Sequence, residues 1–328
     1  MASISASAPP TLVHVGRDGW LFLQGGSNFV TTLYDRQGGN LPDSKLAGWR
    51  QTIERRSARC RELGIACAHL VVPEKLTIYG DRCAAPLVDS NLSPAIRLAE
   101  FMADSPAAGD FIDLVPLFSQ CREQDQLYWH TDTHWSPEGC FVAYKALCAR
   151  LNVHAEDRLL KRPHETKILL MDLGGRVEPE RWEQIREYDF AAYARRAWVN
   201  RVTRLLEDPV YEEEIHVGSR ARFVNPSAIN PQKVFLFGDS YSGASTDMLT
   251  GMLAETFQSL EFVWSSRIDW PLVERSAPDI LLFEIAERFL AVTPDDTLNL
   301  RGLEWRQSLR AYRRRLERWS AGAPKISA

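Results

Sequence analysis

No two of the six cysteines (Cys60, Cys67, Cys83, Cys121, Cys140 and Cys148) form a Cys-x-x-Cys pair, which excludes a zinc knuckle and a thioredoxin-type motif. No segment approaches the roughly 20 consecutive apolar residues of a membrane span. The first ten residues have neither a basic start nor an apolar core, so they do not read as a signal peptide. As written, the chain is expected in the cytoplasm with buried free thiols, or in the periplasm if an export signal has been removed. There is no basic excess: 39 Lys and Arg stand against 43 Asp and Glu, a net charge of −4. That balance excludes nucleic acid as an obligatory partner, because phosphate contacts need a concentrated basic surface. The arginine-rich run from Arg310 to Arg318 reads as one exposed helix face. There is no glycine-rich phosphate loop, so a nucleotide-type cofactor has no support and no cofactor is expected. Internal repeats and long low-complexity tracts are also absent.

What is present is an ordinary globular composition: 328 residues, 45% hydrophobic and 25% charged. Residues 1–12 read as a disordered lead and 13–328 as a single catalytic domain. Residues 155–230, charged and patchily apolar, read as an insertion or cap beside the core. Val13 to Leu23 is an extended arm around a Gly-Arg-Asp-Gly turn. A helix from Asp43 to Leu63 should stop at Gly64, a residue suited to the left-handed conformation beyond a helix end. Ile65 to Val72 and Val234 to Phe237 are apolar runs of strand length, the pattern of strands covered on both faces. Asp110 to Leu114, Glu261 to Trp264 and Ile280 to Ile285 read as further strands. Ser136 and Pro137 open a helix that runs to Leu151, with serine as N-cap and proline in the first turn. Helices are also expected over Gly243 to Leu253 and Leu303 to Trp319. Alternating strands and helices of these lengths predict a three-layer α/β/α sandwich with a mainly parallel sheet.

In such sheets ligands bind beyond the carboxyl ends of the strands. Ser240 stands just after one of them, in Gly238-Asp239-Ser240-Tyr241-Ser242. Gly238 permits a tight backbone there. The amides from Tyr241 onward, expected at a helix N-terminus, could stabilise an oxyanion. A serine hydroxyl needs a base to become a nucleophile, and the base needs a group to orient it. Asp132 and His134, two apart in an extended segment, would project to one side and supply both. The flanking Trp129 and Trp135 point to a structured loop, as core packing or as flat faces for sugar rings. A rival reading takes His130, Asp132 and His134 as metal ligands, completed by Asp239 or His69. It leaves Ser240 without a role, so no metal is expected.

Six stretches make the chain resemble the alginate O-acetyltransferase AlgJ/AlgX family, a permuted branch of the SGNH (GDSL-like) hydrolase superfamily. They are Gly16 to Phe22, Val71 to Lys75, Asp132 to Gly139, Asp172 to Gly174, Gly238 to Ser242, and Pro278-Asp279 through Glu287-Arg288-Phe289-Leu290. The resemblance implies a flavodoxin-like fold and acyl transfer to sugar hydroxyls of a polysaccharide. Carried over by position, Ser240 is the nucleophile, His134 the base and Asp132 its partner. It also implies basic residues near the pocket at Arg267 and Arg288; the alternative for Arg288 is a simple ion pair with Glu284 or Glu287. The expected function is therefore a carbohydrate O-acetyltransferase working through an acyl-serine. An esterase using the same triad, or a non-catalytic sugar-binding scaffold, are the alternatives. The expected partner is a carbohydrate acceptor. The residues name no acetyl donor, and a membrane acyltransferase partner is implied by the family alone.

Overall fold

The computed structural model describes residues 12–26, 28–35, 40–208 and 216–320, the last three by backbone only. A hairpin of β1 (Val13–Val15) and β2 (Leu21–Leu23) leads into α1 (Asp43–Leu63) and β3 (Ala66–Val72). Then follow α2 (Lys75–Tyr79), α3 (Pro94–Met102), β4 (Phe111–Asp113), α4 (Val115–Cys121) and α5 (Pro137–Leu151). Next come β5 (His164–Leu170), β6 (Trp182–Tyr188), β7 (Arg195–Val199), α6 (Arg201–Leu206) and β8 (Arg220–Val224). The remainder is β9 (Asn230–Gly238), α7 (Leu249–Thr256), β10 (Phe257–Trp264), α8 (Trp270–Ser276), β11 (Ile280–Ala286) and α9 (Leu300–Ser320).

Seven strands form the central sheet in the order β4-β3-β11-β9-β10-β8-β7. The first five are parallel; β8 and β7 add an antiparallel edge. Strand periodicity explains the three layers, since successive side chains leave a strand on opposite faces. In β9, Val234 and Leu236 join the larger core, while Phe235 and Phe237 join a second one. In β11, Ile280 and Leu282 likewise oppose Leu281 and Phe283. One face is covered by α3, α5 and α7 through Leu98, Tyr144 and Met252. The other meets α8 and the start of α9 through Leu272, Val273 and Leu300. With both faces covered, β3, β11 and the end of β9 have no polar alternation, as their sequences foretold.

Helix ends follow their chemistry. Gly64 closes α1 at φ 68°, and the Ser136 side chain accepts the Gly139 N–H at the start of α5. The six cysteines are free; five are buried and Cys121 is half-buried. Within residues 155–230, β5 and β6 form a separate two-stranded hairpin, but β7 and β8 extend the central sheet itself. The lead expected at residues 1–12 lies, Leu12 apart, outside the described residues. No helix among the described residues is long and apolar enough to cross a membrane.

The helix expected from Gly243 begins instead at Leu249. Gly243 adopts φ +66°, a left-handed conformation that turns the chain away from a helix. Beyond it, the Ser245 hydroxyl bonds the Asp247 carboxylate, and the Thr250 hydroxyl reaches back 2.6 Å to the Gly243 carbonyl. Such side chains compete with helical hydrogen bonding. The turn that carries Ser240 is therefore separated from the helix that follows it.

Candidate active site

The segment from Tyr128 to Trp135 is a closed loop, pinned at its ends by a single antiparallel bridge between those two residues. It is not extended, as the Asp-x-His spacing suggested. The Asp132 Oδ1 atom accepts two hydrogen bonds at 2.7 Å, from the His134 backbone N–H and from His134 Nδ1. A short acidic side chain bonding the amide two residues on is the usual device of an Asx turn. Here the same oxygen also orients the imidazole. Asp132 is buried, whereas the His134 side chain keeps 24% of its surface exposed.

Four neighbours hold this loop. Lys75 Nζ donates to three of its carbonyls: Trp129 at 2.9 Å, His130 at 3.0 Å and Asp132 at 2.6 Å. The ammonium also lies 5.6 Å and 5.5 Å from the ring centroids of Trp20 and Phe22. Asp172 accepts both the Thr133 N–H at 2.9 Å and the Thr133 hydroxyl at 2.7 Å. Glu183, from β6, receives the N–H groups of His130 and Thr131 at 2.8 Å and 2.7 Å. Finally, the Tyr241 hydroxyl donates to the Thr133 carbonyl at 2.7 Å, and its ring centroid lies 5.0 Å from that of His134. The residue next to Ser240 is thus docked against the histidine.

Around Ser240 the backbone donors are mostly engaged. The amides of Tyr241, Ser242 and Gly243 all turn back onto Asp239, at 2.9 Å, 3.3 Å and 3.0 Å. The other Asp239 oxygen takes the Ala286 N–H at 2.8 Å. The expected oxyanion donor at Tyr241 is therefore occupied, and the amide without a partner among the described residues is that of Ser240 itself. Beneath the turn lies the buried Glu284, whose Oε2 accepts the Asp239 N–H at 3.0 Å and the Ser242 hydroxyl at 2.7 Å. A side chain at Gly238 would meet that same oxygen at 2.8 Å, so the glycine is required by close approach.

The electrostatics follow from burial opposed by partners. Burial disfavours the imidazolium of His134, but the Asp132 carboxylate, its hydrogen bond and the charge of Asp172 raise the His134 pKa above the ordinary value of 6.5. Burial likewise opposes the Asp132 carboxylate, yet His134, the hydrogen bonds and Lys75 keep its pKa below the usual range. Lys75 is pushed down to about 8 by burial, partly offset by Asp132, Asp172, Glu183 and Glu74. Burial, reinforced by the charge of Asp239, drives the Glu284 carboxyl well up.

Several of the other expected site residues are buried or engaged by neighbours. Trp135 is fully buried, its ring edge-on to Tyr241 at 5.3 Å. Trp129 is 8% exposed. Neither offers a face to a ligand. Arg288 pairs with Glu74 at 2.5 Å, not with Glu284 or Glu287, and also donates to the Tyr241 hydroxyl at 2.9 Å. It therefore buttresses Tyr241. Arg267, more exposed, is held by Asp295 at 2.6 Å and Thr297 at 2.7 Å. His130 turns to Glu183, at 3.2 Å from Nδ1, so the alternating His-x-Asp-x-His set does not gather. His69 stacks on Phe283 with centroids 4.3 Å apart, and both Asp239 oxygens accept amides, so neither completes that set. What gathers is Asp132, His134 and Asp172, with ligand-type atoms within 4.8 Å of one another.

A family model described as an SGNH hydrolase-like domain, acetyltransferase AlgX, matches residues 13–261. The chain belongs to that family. Relatives of this AlgX-type domain include proteins named probable alginate O-acetylase AlgJ. That of Pseudomonas aeruginosa is 30% identical over 158 residues, 46% of this chain and 35% of that protein. That of Pseudomonas syringae pv. tomato is 29% identical over 144 residues, 42% and 33% of the two chains. The matched region thus spans about a third of the length of these curated relatives. Among solved structures, the O-acetyltransferase domain of Pseudomonas putida AlgJ is similar with a TM-score of 0.56 and 17% identity, covering 91% of this chain and 99% of that one. Bacillus cereus PatB1 with a sulfonyl adduct gives 0.60 and 14% identity, covering 85% and 97%. These likenesses show that the AlgX-type chain has the same α/β fold.

Glu183 was not singled out from the sequence; Lys75 stood there only as the end of a matching stretch and Glu284 only as a possible partner of Arg288. For Glu284 a signal existed: it is the one charge inside the apolar run Ile280 to Ile285. Lys75 follows β3 at the carboxyl end of the sheet, where polar groups gather at a site. Glu183 carried no signal, because its contact with the loop bridges more than 50 residues of chain.

Proposed function

We propose that this chain is a carbohydrate O-acetyltransferase that works through an acyl-Ser240 intermediate. The observation that carries the reading is the Asp132–His134 pair, 2.7 Å apart, docked through Tyr241 against the turn of Ser240. Membership of the AlgX family and the AlgJ relatives support acetyl transfer and a polysaccharide acceptor.

With Nδ1–H donated to Asp132, His134 Nε2 is the basic nitrogen. It takes the Ser240 proton as Oγ attacks the donor's acetyl carbonyl, and hands it to the leaving group. The oxyanion formed in between meets the Ser240 amide. A sugar hydroxyl then gives its proton to Nε2 and attacks the acyl carbon. The bond to Oγ breaks, and the proton returns to Ser240.

The neutral imidazole is the active form, and Asp132 raises its pKa. Below that pKa the base is protonated, so activity is lost as pH falls through it. The acid limb of kcat/KM is therefore expected to have its midpoint above 6.5. In Asp132→Asn the midpoint should move down along with a large loss of rate. An unchanged midpoint in that variant would show that Asp132 does not set the base.

The reading itself is tested with p-nitrophenyl acetate as donor and a panel of oligosaccharides as acceptors. Mass spectrometry should show acetylated oligosaccharide and faster release of p-nitrophenol when acceptor is present. Acetate as the sole product across the panel would assign an esterase instead.

A further inference from the structure

With Trp129 and Trp135 buried, the aromatic surface beside Ser240 comes from another element. Strand β10 runs parallel to β9, and Trp264 at its end stands opposite Gly238 in the register. It is thus a lateral neighbour of the residue two before Ser240. The indole is half-buried and backed by the His216 ring at 4.8 Å. Its backbone is fixed by two bonds, from Trp264 N–H to the Ser219 carbonyl and from Gly218 N–H to the Trp264 carbonyl, both 2.9 Å.

Trp264 lines a cavity of about 270 Å³ whose wall includes Gly238 and Asp239. Phe289 adds a second ring, Arg267 a guanidinium, and Asn28 an amide held on the Arg288 carbonyl at 2.9 Å. Neither Ser240 nor any residue of the Tyr128 to Trp135 loop is on this wall, which meets the turn at Gly238 and Asp239. The base and the cavity therefore reach the Ser240 turn from different elements. A cavity with aromatic sides and a few fixed polar groups suits an amphipathic ring that presents C–H faces and a rim of hydroxyls. A pyranose is such a ring.

We propose that this cavity is the acceptor subsite, in which a pyranose packs against Trp264 and directs one hydroxyl at acyl-Ser240. The assignment rests on the acyl-serine reading above. In the transfer step the hydroxyl proton passes to His134 Nε2, the sugar oxygen bonds the acetyl carbon, and Oγ leaves and regains the proton.

Trp264→Ala and Arg267→Ala test the subsite. The burst of p-nitrophenol without acceptor reads acylation, and its dependence on oligosaccharide concentration reads transfer. In Trp264→Ala the acceptor KM should rise about tenfold, equivalent to about 1.4 kcal/mol, with acylation changed about twofold or less. Arg267→Ala, at an exposed position, should show a smaller change of the same kind, which keeps the test valid if Trp264→Ala is poorly folded. An unchanged acceptor KM in both variants overturns the subsite. So does a loss of acylation equal to the loss of transfer, which would make the cavity a donor site. If the parent protein itself forms no acyl-enzyme, the acyl-serine reading fails instead, and the subsite as an acceptor site falls with it.

Discussion

Ser240→Ala is expected to lower ester turnover by on the order of 10⁶-fold, as loss of the nucleophile of a serine triad does. The expectation comes from the division of labour in the site. The His134–Asp132 pair, the proposed base, is held without Ser240, since their 2.7 Å bond does not involve it. The loop that holds them is fixed by Lys75, Asp172 and Glu183 rather than by the serine. Removing one half-exposed hydroxyl should therefore leave fold and base intact while removing the atom that carries the acyl group. The check is twofold. After exposure to an activated ester, peptide mass mapping of the parent should place the acetyl group on Ser240, and Ser240→Ala should gain no mass. An adduct on another residue, with Ser240 unmodified, would sink the assignment. The oxyanion donor makes a finer point. Because the Tyr241 amide is committed to Asp239, alteration of the Tyr241 side chain should act by undocking the turn from Thr133, not by removing a hydrogen bond to the transition state.

Lys75→Met is expected to have the second largest effect. The methionine fills much of the same volume but leaves three carbonyls of the Tyr128 to Trp135 loop without their donor. A hydrogen bond to a charged group is worth about 1.5–3 kcal/mol. Relief from burying an ammonium offsets part of three such bonds, so the net loss of folding stability should be about 1.5–3 kcal/mol. The loss of activity should exceed what unfolding explains. A displacement of about 1 Å in a catalytic group can reduce the rate about 10²-fold, and the three carbonyls belong to the residues that present Asp132 and His134. Chemical denaturation and ester turnover measured on the same preparation separate the two effects. Full activity per folded molecule would show that Lys75 serves stability alone.

The legible parts of this molecule are those whose cause is local. Gly64 and Ser136 mark helix ends by their own chemistry, and apolar runs such as Val234 to Phe237 announce strands buried on both faces. The Asp132–His134 pair was legible because both partners lie within one turn of chain, although by way of a bend and not an extended strand. What escaped notice depends on distant chain. The edge strand β7 is largely exposed and pairs only with β8, so it carries no apolar signature. Trp135 reads as core or as a ligand-facing aromatic from its neighbours in sequence; Tyr241, over a hundred residues away, decides for the core. The start of α7 was misplaced because a helix-compatible sequence follows Gly243, whose positive φ is a property of the folded turn.

The strand order has a consequence for how the protein is made. Strand β11, the last in the described chain, sits in the middle of the sheet, hydrogen-bonded to β3 on one side and β9 on the other. While the chain is being synthesised, β3–β4 and β9–β10 can form only as two separate ribbons, each with an open, apolar edge where β11 will insert. Such edges invite pairing with other chains. Glu284, which supports the serine turn, and Arg288, which buttresses Tyr241, arrive on and just after that same strand. Closing the sheet and completing the site are therefore one event, which waits for β11. A nascent chain is most prone to aggregate just before the Ser240 turn gains its support from Glu284.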